Sequence, residues 1–114
     1  SIHVENEMYI DASTGISGSG PAYVFYFMQS MLEAALKMGF SENDSKVLVS
    51  NTFEGAIELF KQNSFSPQSW IDKVASKGGT TQAAIDSMED NNVNELIKDA
   101  AYAAFERAVE LGKK

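Results

Sequence analysis

Between Pro21 and Met38 the chain is apolar nearly all the way round a helix, the strongly polar residues being Gln29, Ser30, Glu33 and Lys37. Pro21 suits the first turn, where its missing N–H costs nothing, and Gly39 suits the stop. A membrane span needs about 20 predominantly apolar residues. Here polar positions recur from Gln29 onward, so the segment reads as a helix of a water-soluble domain, buried on most sides. A chain of 114 residues has too much surface for its volume to enclose such a helix alone. This predicts a core shared with a second copy, as in obligate dimers; the alternative is a thick monomeric core built from the Met and Phe positions.

The remaining segments fit around that helix. Ile2, Val4, Met8 and Ile10 fall on even positions with only Asn6 breaking the series, a period-2 pattern that predicts an extended N-terminal arm. Ser41 to Asp44 resembles a capping box and starts a helix running to about Gln62, with Val47, Leu48, Phe53, Ala56, Ile57, Leu59 and Phe60 on its inner face. Ser66-Pro67 opens a short helix carrying Trp70, Ile71 and Val74. Another spans Thr80 to about Glu89, and after Asp90-Asn-Asn92 a last helix runs to Gly112. The expected fold is all-α, a bundle of about five helices behind an extended arm.

Composition removes whole classes of function. Nine Lys+Arg against 16 Asp+Glu leave a formal charge of −7, whereas nucleic-acid affinity rests on a basic face; no nucleic acid is expected as a partner, and no membrane. With 44% hydrophobic and 22% charged residues the chain is expected to fold, as about one domain. Cysteine is absent, which excludes disulfides and thiolate sites, and with His3 the single histidine no metal is expected. No basic segment followed by an apolar run marks a signal peptide, so a cytoplasmic setting is expected.

Two glycine-bearing stretches could carry chemistry. Gly15-Ile-Ser-Gly18-Ser-Gly20 lacks the ordered G-x-G-x-x-G of a dinucleotide loop, Tyr23 standing where the third glycine belongs. From composition it reads as a tight turn that lets a buried helix start close to another backbone. Ser76-Lys-Gly-Gly-Thr-Thr81 lies just before a helix, where unpaired N–H groups and the dipole favour an anion. Two glycines allow a concave nest of donors there. The plainer alternative is an ordinary connection with Thr80 or Thr81 as N-cap.

Read together, Asp11-Ala-Ser-Thr14, Ser17-Gly-Ser-Gly-Pro-Ala-Tyr23, Asn51-Thr-Phe-Glu-Gly-Ala56, Val74-Ala-Ser-Lys-Gly-Gly-Thr-Thr81 and Ala104-Phe-Glu-Arg-Ala-Val-Glu-Leu111 resemble the C-terminal domain of the Δ1-pyrroline-5-carboxylate reductases. The likeness runs from about Asp11 to Leu111. It implies an enzyme that reduces Δ1-pyrroline-5-carboxylate to L-proline with NADH or NADPH, the last step of proline biosynthesis. It also implies a fold like the C-terminal domain of 6-phosphogluconate dehydrogenase, dimerised by interleaving helices and often set in a ring of dimers. Residues 1–114 would be the dimerisation and substrate-binding domain, accompanied in the full enzyme by an N-terminal Rossmann domain that binds most of the cofactor.

Carried onto this sequence, the resemblance places Ser76, Gly78, Gly79, Thr80 and Thr81 around the substrate carboxylate, with Thr81 the catalytic residue that hydrogen-bonds the imine nitrogen. Thr14, Ser17 and Gly18 would lie near the nicotinamide end of the cofactor. Lys77 departs from the proline usual in the family, which loosens the loop and sets a cation beside the anion site. Without a dinucleotide loop, this chain by itself is expected to be inactive. Two other readings stand beside this one: a non-enzymatic helical dimerisation module, and the helical domain of a β-hydroxyacid dehydrogenase-like enzyme, which would need a catalytic lysine such as Lys37.

Overall fold

The computed structural model describes residues 7–62 and 64–113. They form six α-helices and one π-helical turn: α1 (Glu7–Ser13), the π-turn (Thr14–Gly18), α2 (Gly20–Lys37), α3 (Glu42–Gln62), α4 (Pro67–Ala75), α5 (Gly79–Asp90) and α6 (Val93–Gly112). The all-α expectation holds, and α2 to α6 are the five helices expected from the sequence. The chain divides into two compact units, one comprising the residues up to Tyr26 with those from Met88 onward, the other Phe27–Ser87.

In the first unit α1, the π-turn and α6 pack on one another. Here the expectation of an extended arm fails in its described part, because Glu7 to Ile10 are helical; Ile2 to Asn6, His3 included, lie outside the described residues. The alternation of Met8 and Ile10 is too short to decide between strand and helix, and packing on α6 decides for the helix. Gly15 is buried in this unit. A Cβ at Gly15 would sit 2.9 Å from the Ala101 carbonyl oxygen and 3.3 Å from the Phe105 nitrogen. Glycine is therefore the residue that lets the π-turn meet the α6 backbone. The stretch read as a tight turn is π-helical, and the close approach it permits is to α6.

In the second unit the helix ends follow local chemistry. Gly39 has φ +109°, and beside it Gly39 N–H donates to Leu36 O at 3.0 Å and Phe40 N–H to Ala35 O at 3.1 Å. This is a Schellman stop, which satisfies carbonyls that the end of α2 would leave open. The Ser41 Oγ caps α3 by accepting from Asp44 N–H at 3.1 Å. Ser66 caps α4 in the same way, accepting from Ser69 N–H at 3.1 Å. The rings of Phe65 and Trp70 meet edge-on with centroids 5.4 Å apart, so residues on either side of the cap close as a hydrophobic staple. Lys73 Nζ lies 4.7 Å over the Phe65 ring.

Between α2 and α3, Phe27 and Phe53 meet edge-on at 5.6 Å, yet little of the apolar surface is covered. Among the described residues Val49 is the single large apolar side chain that is buried. Met31, Leu36, Met38, Phe40, Val47, Leu48, Ile57, Leu59 and Phe60 are exposed, Met38 to 78%. Val47, Leu48, Ile57, Leu59 and Phe60, expected on an inner face of α3, thus lie on the surface of the single chain. A crevice of about 430 Å³ runs between α2 and α3, lined by Met28, Leu32, Leu36, Ser45 and Val49 among others. Completing the burial of about ten such half-exposed side chains at about 1 kcal/mol each would yield about 10 kcal/mol, comparable with the net stability of an entire domain.

The contact at Gly15 makes a clean prediction. Gly15→Ala forces a methyl group against backbone and is expected to destabilise the fold by about 1–3 kcal/mol, whereas Gly20→Ala, whose Cβ meets nothing within 4 Å, leaves stability nearly unchanged. Thermal unfolding followed by circular dichroism checks this; equal melting temperatures for the two variants would refute the role given to Gly15.

Candidate functional site

The anion-binding candidate lies where α4 gives way to α5. Ser76 ends α4: its N–H donates to Asp72 O at 3.0 Å and its Oγ to Lys73 O at 2.9 Å. The amides of Lys77 and Gly78 then turn back to Val74 O at 3.3 Å and Ala75 O at 3.4 Å. A proline at position 77 would lack the first of these bonds, so Lys77, expected to loosen the turn, ties it by one more amide. The Lys77 side chain is exposed and forms no ion pair among the described residues.

Helix α5 begins at Gly79, which makes Gly78 its N-cap. The alternative of Thr80 or Thr81 as cap fails, since both lie inside the first turn. With no side chain at Gly78, the amides of Gly79, Thr80 and Thr81 receive neither an intrahelical partner nor a side-chain cap. A Cβ built at Gly78 or Gly79 meets nothing within 4 Å, so the approach to these amides is open. The expected nest is not formed: among the described residues positive φ occurs at Gly39 and Asn92 alone. The donors are presented instead by the first turn of the helix, with the positive end of its dipole behind them. Thr81 is half-buried and Thr80 exposed, and neither hydroxyl has a hydrogen bond within the described chain.

The cofactor candidates lie in the other unit, on the π-turn. Thr14 Oγ1 donates to Ile10 O at 3.1 Å and Ser17 Oγ to Ser13 O at 3.0 Å. Both hydroxyls have therefore spent their proton on the preceding turn and retain acceptor capacity only. Gly18 is exposed, its nearest neighbour being the Thr14 methyl, 3.7 Å from an added Cβ. Tyr23, to which sequence reasoning gave no role, donates its phenol O–H to Gly15 O at 2.8 Å. Its position two turns beyond Gly15 is visible in the sequence, but the π-register that makes the contact useful is not.

Lys37 stands in the last turn of α2, exposed, where it complements the negative end of the dipole. Among the described residues no group of His, Cys, Asp and Glu is placed to hold a metal ion. No helix there is long and apolar enough to cross a membrane.

Comparison with known proteins bears on the same segments. The family described as pyrroline-5-carboxylate reductase dimerisation matches residues 7–111. The pyrroline-5-carboxylate reductase of Pseudomonas aeruginosa is 38% identical over 111 residues, covering 97% of this chain and 41% of the relative. That of Synechocystis is 38% identical over 108 residues, covering 95% and 40%. The chain thus spans about two fifths of the length of the curated relatives it matches. Among solved structures, Plasmodium falciparum pyrroline carboxylate reductase with NADP bound superimposes with a TM-score of 0.89 at 36% identity, covering 94% of this chain and 41% of that one. The Coxiella burnetii pyrroline-5-carboxylate reductase gives 0.87 at 37% identity, covering 93% and 39%. With its helices, its Gly-Gly-Thr-Thr helix start and these matches over nearly its whole length, the chain belongs to the pyrroline-5-carboxylate reductase dimerisation family.

Proposed function

We propose that this chain is the substrate-holding and dimer-forming C-terminal part of an NAD(P)H-dependent reductase that converts Δ1-pyrroline-5-carboxylate to L-proline. The observation that carries the proposal is the uncapped start of α5, where the amides of Gly79, Thr80 and Thr81 stand open to a ligand beside a glycine N-cap. In a chain of charge −7, main-chain donors hold a carboxylate without calling on basic side chains. Ser76 and Gly78 serve by shaping the turn, since the amides of both and the Ser76 hydroxyl are already committed to α4.

With the carboxylate on these amides, the ring nitrogen of the imine falls to Thr81. Its hydroxyl, unbonded within the described chain, donates a hydrogen bond to that nitrogen and orients the C=N bond. As hydride adds to the carbon, the nitrogen takes up a proton, for which the Thr81 Oγ1 is a relay. A nicotinamide cofactor supplies the hydride when bound, most of it held by a Rossmann domain outside this chain. Thr14 and Ser17 fit the nicotinamide end as acceptors, because their own protons are engaged, and Gly18 leaves room beside them.

The second role follows from the apolar faces of α2 and α3. Their exposure in the single chain fits burial against a second copy, which removes the cost of leaving them in water. Assembly of such dimers into a ring is the further step that the family resemblance implies.

Three measurements test these roles. In the full-length reductase, Thr81→Ala is expected to lower kcat/KM for the imine by about 100-fold, with partial recovery in Thr81→Ser; unchanged kinetics in the alanine variant would remove Thr81 from the mechanism. Gly79→Val meets no protein atom within 4 Å at Cβ, so it is expected to retain the fold while raising KM for the imine about 10-fold; an unaltered KM returns the turn to a purely structural role. Light scattering of the chain at micromolar concentration is expected to give twice the monomer mass, and a monomer there refutes the shared core.

A further inference from the structure

We infer that Tyr23 is a positioning residue, its phenol O–H holding the π-register of Thr14–Gly18 and through it the placement of Thr14 and Ser17. The inference rests on the reading that this turn meets the nicotinamide end of the cofactor. In an α-helical register the Ser19 amide would bond to Gly15 O; it bonds instead to Thr14 O at 2.8 Å. The shift leaves the Gly15 carbonyl without that donor. Pro21 has no amide to offer, and the Ala22 amide turns to Ser19 O at 3.0 Å. Because Gly15 is buried, its carbonyl depends on a donor from the protein. Tyr23, on the first turns of α2, reaches back with its hydroxyl to that oxygen at 2.8 Å and takes the place of the absent amide.

The side chains of the turn follow this register. Thr14 and Ser17 are tied by their own hydroxyls to Ile10 O and Ser13 O, so their direction is fixed by the backbone that carries them. The close approach of Gly15 to the α6 backbone, where an added Cβ would meet the Ala101 carbonyl oxygen and the Phe105 nitrogen, opposes translation of the turn but does not by itself set its hydrogen-bond register. A slip in register turns the residues beyond Gly15 relative to those before it about the helix axis, and so changes how Thr14 stands beside Ser17 and Gly18. A single hydrogen bond from Tyr23 opposes it, in a type of helix that is rare and concentrated at functional sites.

The test uses the full-length reductase containing this chain. Tyr23→Phe, which deletes only the hydroxyl, is expected to raise KM for NAD(P)H about 3- to 10-fold with little change in KM for the imine. Combined with Thr14→Val it is expected to add less than its separate effect, since both act at one place. Replacing Tyr23 by 4-aminophenylalanine, which restores an N–H donor, is expected to return KM for NAD(P)H to the parent value. If Thr14→Val raises KM for NAD(P)H and Tyr23→Phe does not, the positioning role falls while the cofactor reading stands. If neither variant moves it, the cofactor reading and the inference fall together. Additive effects in the double variant, or equal losses in both KM values with a lowered melting temperature, mark Tyr23 as merely structural and overturn the inference. Should Tyr23→Phe not fold, a 4-aminophenylalanine variant with KM for NAD(P)H raised above the parent value overturns it as well.

Discussion

At Gly15 two stretches of main chain come so close that a methyl group between them would lie 2.9 Å from a carbonyl oxygen. Close packing of this kind leaves no room for small adjustments. The turn that carries Gly15 is therefore fixed on α6, and the chain on either side must accommodate it: α1 folds against the same helix, and the backbone loosens to an i→i−5 bond between Ser19 and Thr14. The hydroxyls of Thr14, Ser17 and Tyr23 all find carbonyls in or just before this turn. Polar side chains thus repair a backbone pattern set by one packing contact.

Residues 27–87 solve a different problem. Their helix ends are well determined, by the Schellman stop at Gly39 and by the caps at Ser41 and Ser66. Their faces are not covered, and α2 and α3 carry large apolar side chains into water. Under the dimer reading these two traits belong together, because a surface that must mate with a copy of itself is better held on helices of fixed length than on loops. The turn between α4 and α5 gains from the same regularity: three amide bonds wind α4 to its end, and α5 starts at once with its first amides free.

Helix starts and stops were legible wherever one residue performs one local task. Ser41, Ser66-Pro67 and Gly39 announced their ends because capping depends on a few neighbouring atoms. The turn at Ser76 to Thr81 could be placed for the same reason, although the sequence did not say that Gly78 would be the cap or that the donors would come from a plain helical turn rather than a nest. The N-terminal helix and the π-turn were not legible. Met8 and Ile10 alternate as in a strand, and the glycines of the next stretch suggest a loop; both local signals yield to packing on α6, which lies far along the sequence. The apolar face of α3 was legible as a pattern, but what covers it was not, because periodicity records that a face is apolar and says nothing of which chain meets it.

The donors at the start of α5 belong to the main chain, and this has a bearing on how the site can vary. A basic side chain that holds an anion is lost in one substitution, while an amide survives every exchange except to proline. What such a site requires of its residues is mostly that they stay small, as Gly78 and Gly79 do, with nothing within 4 Å of the place a side chain would take. Lys77 can then stand beside the site with no donor lost. The specification of such a site is written less in the groups the chain supplies than in those it withholds.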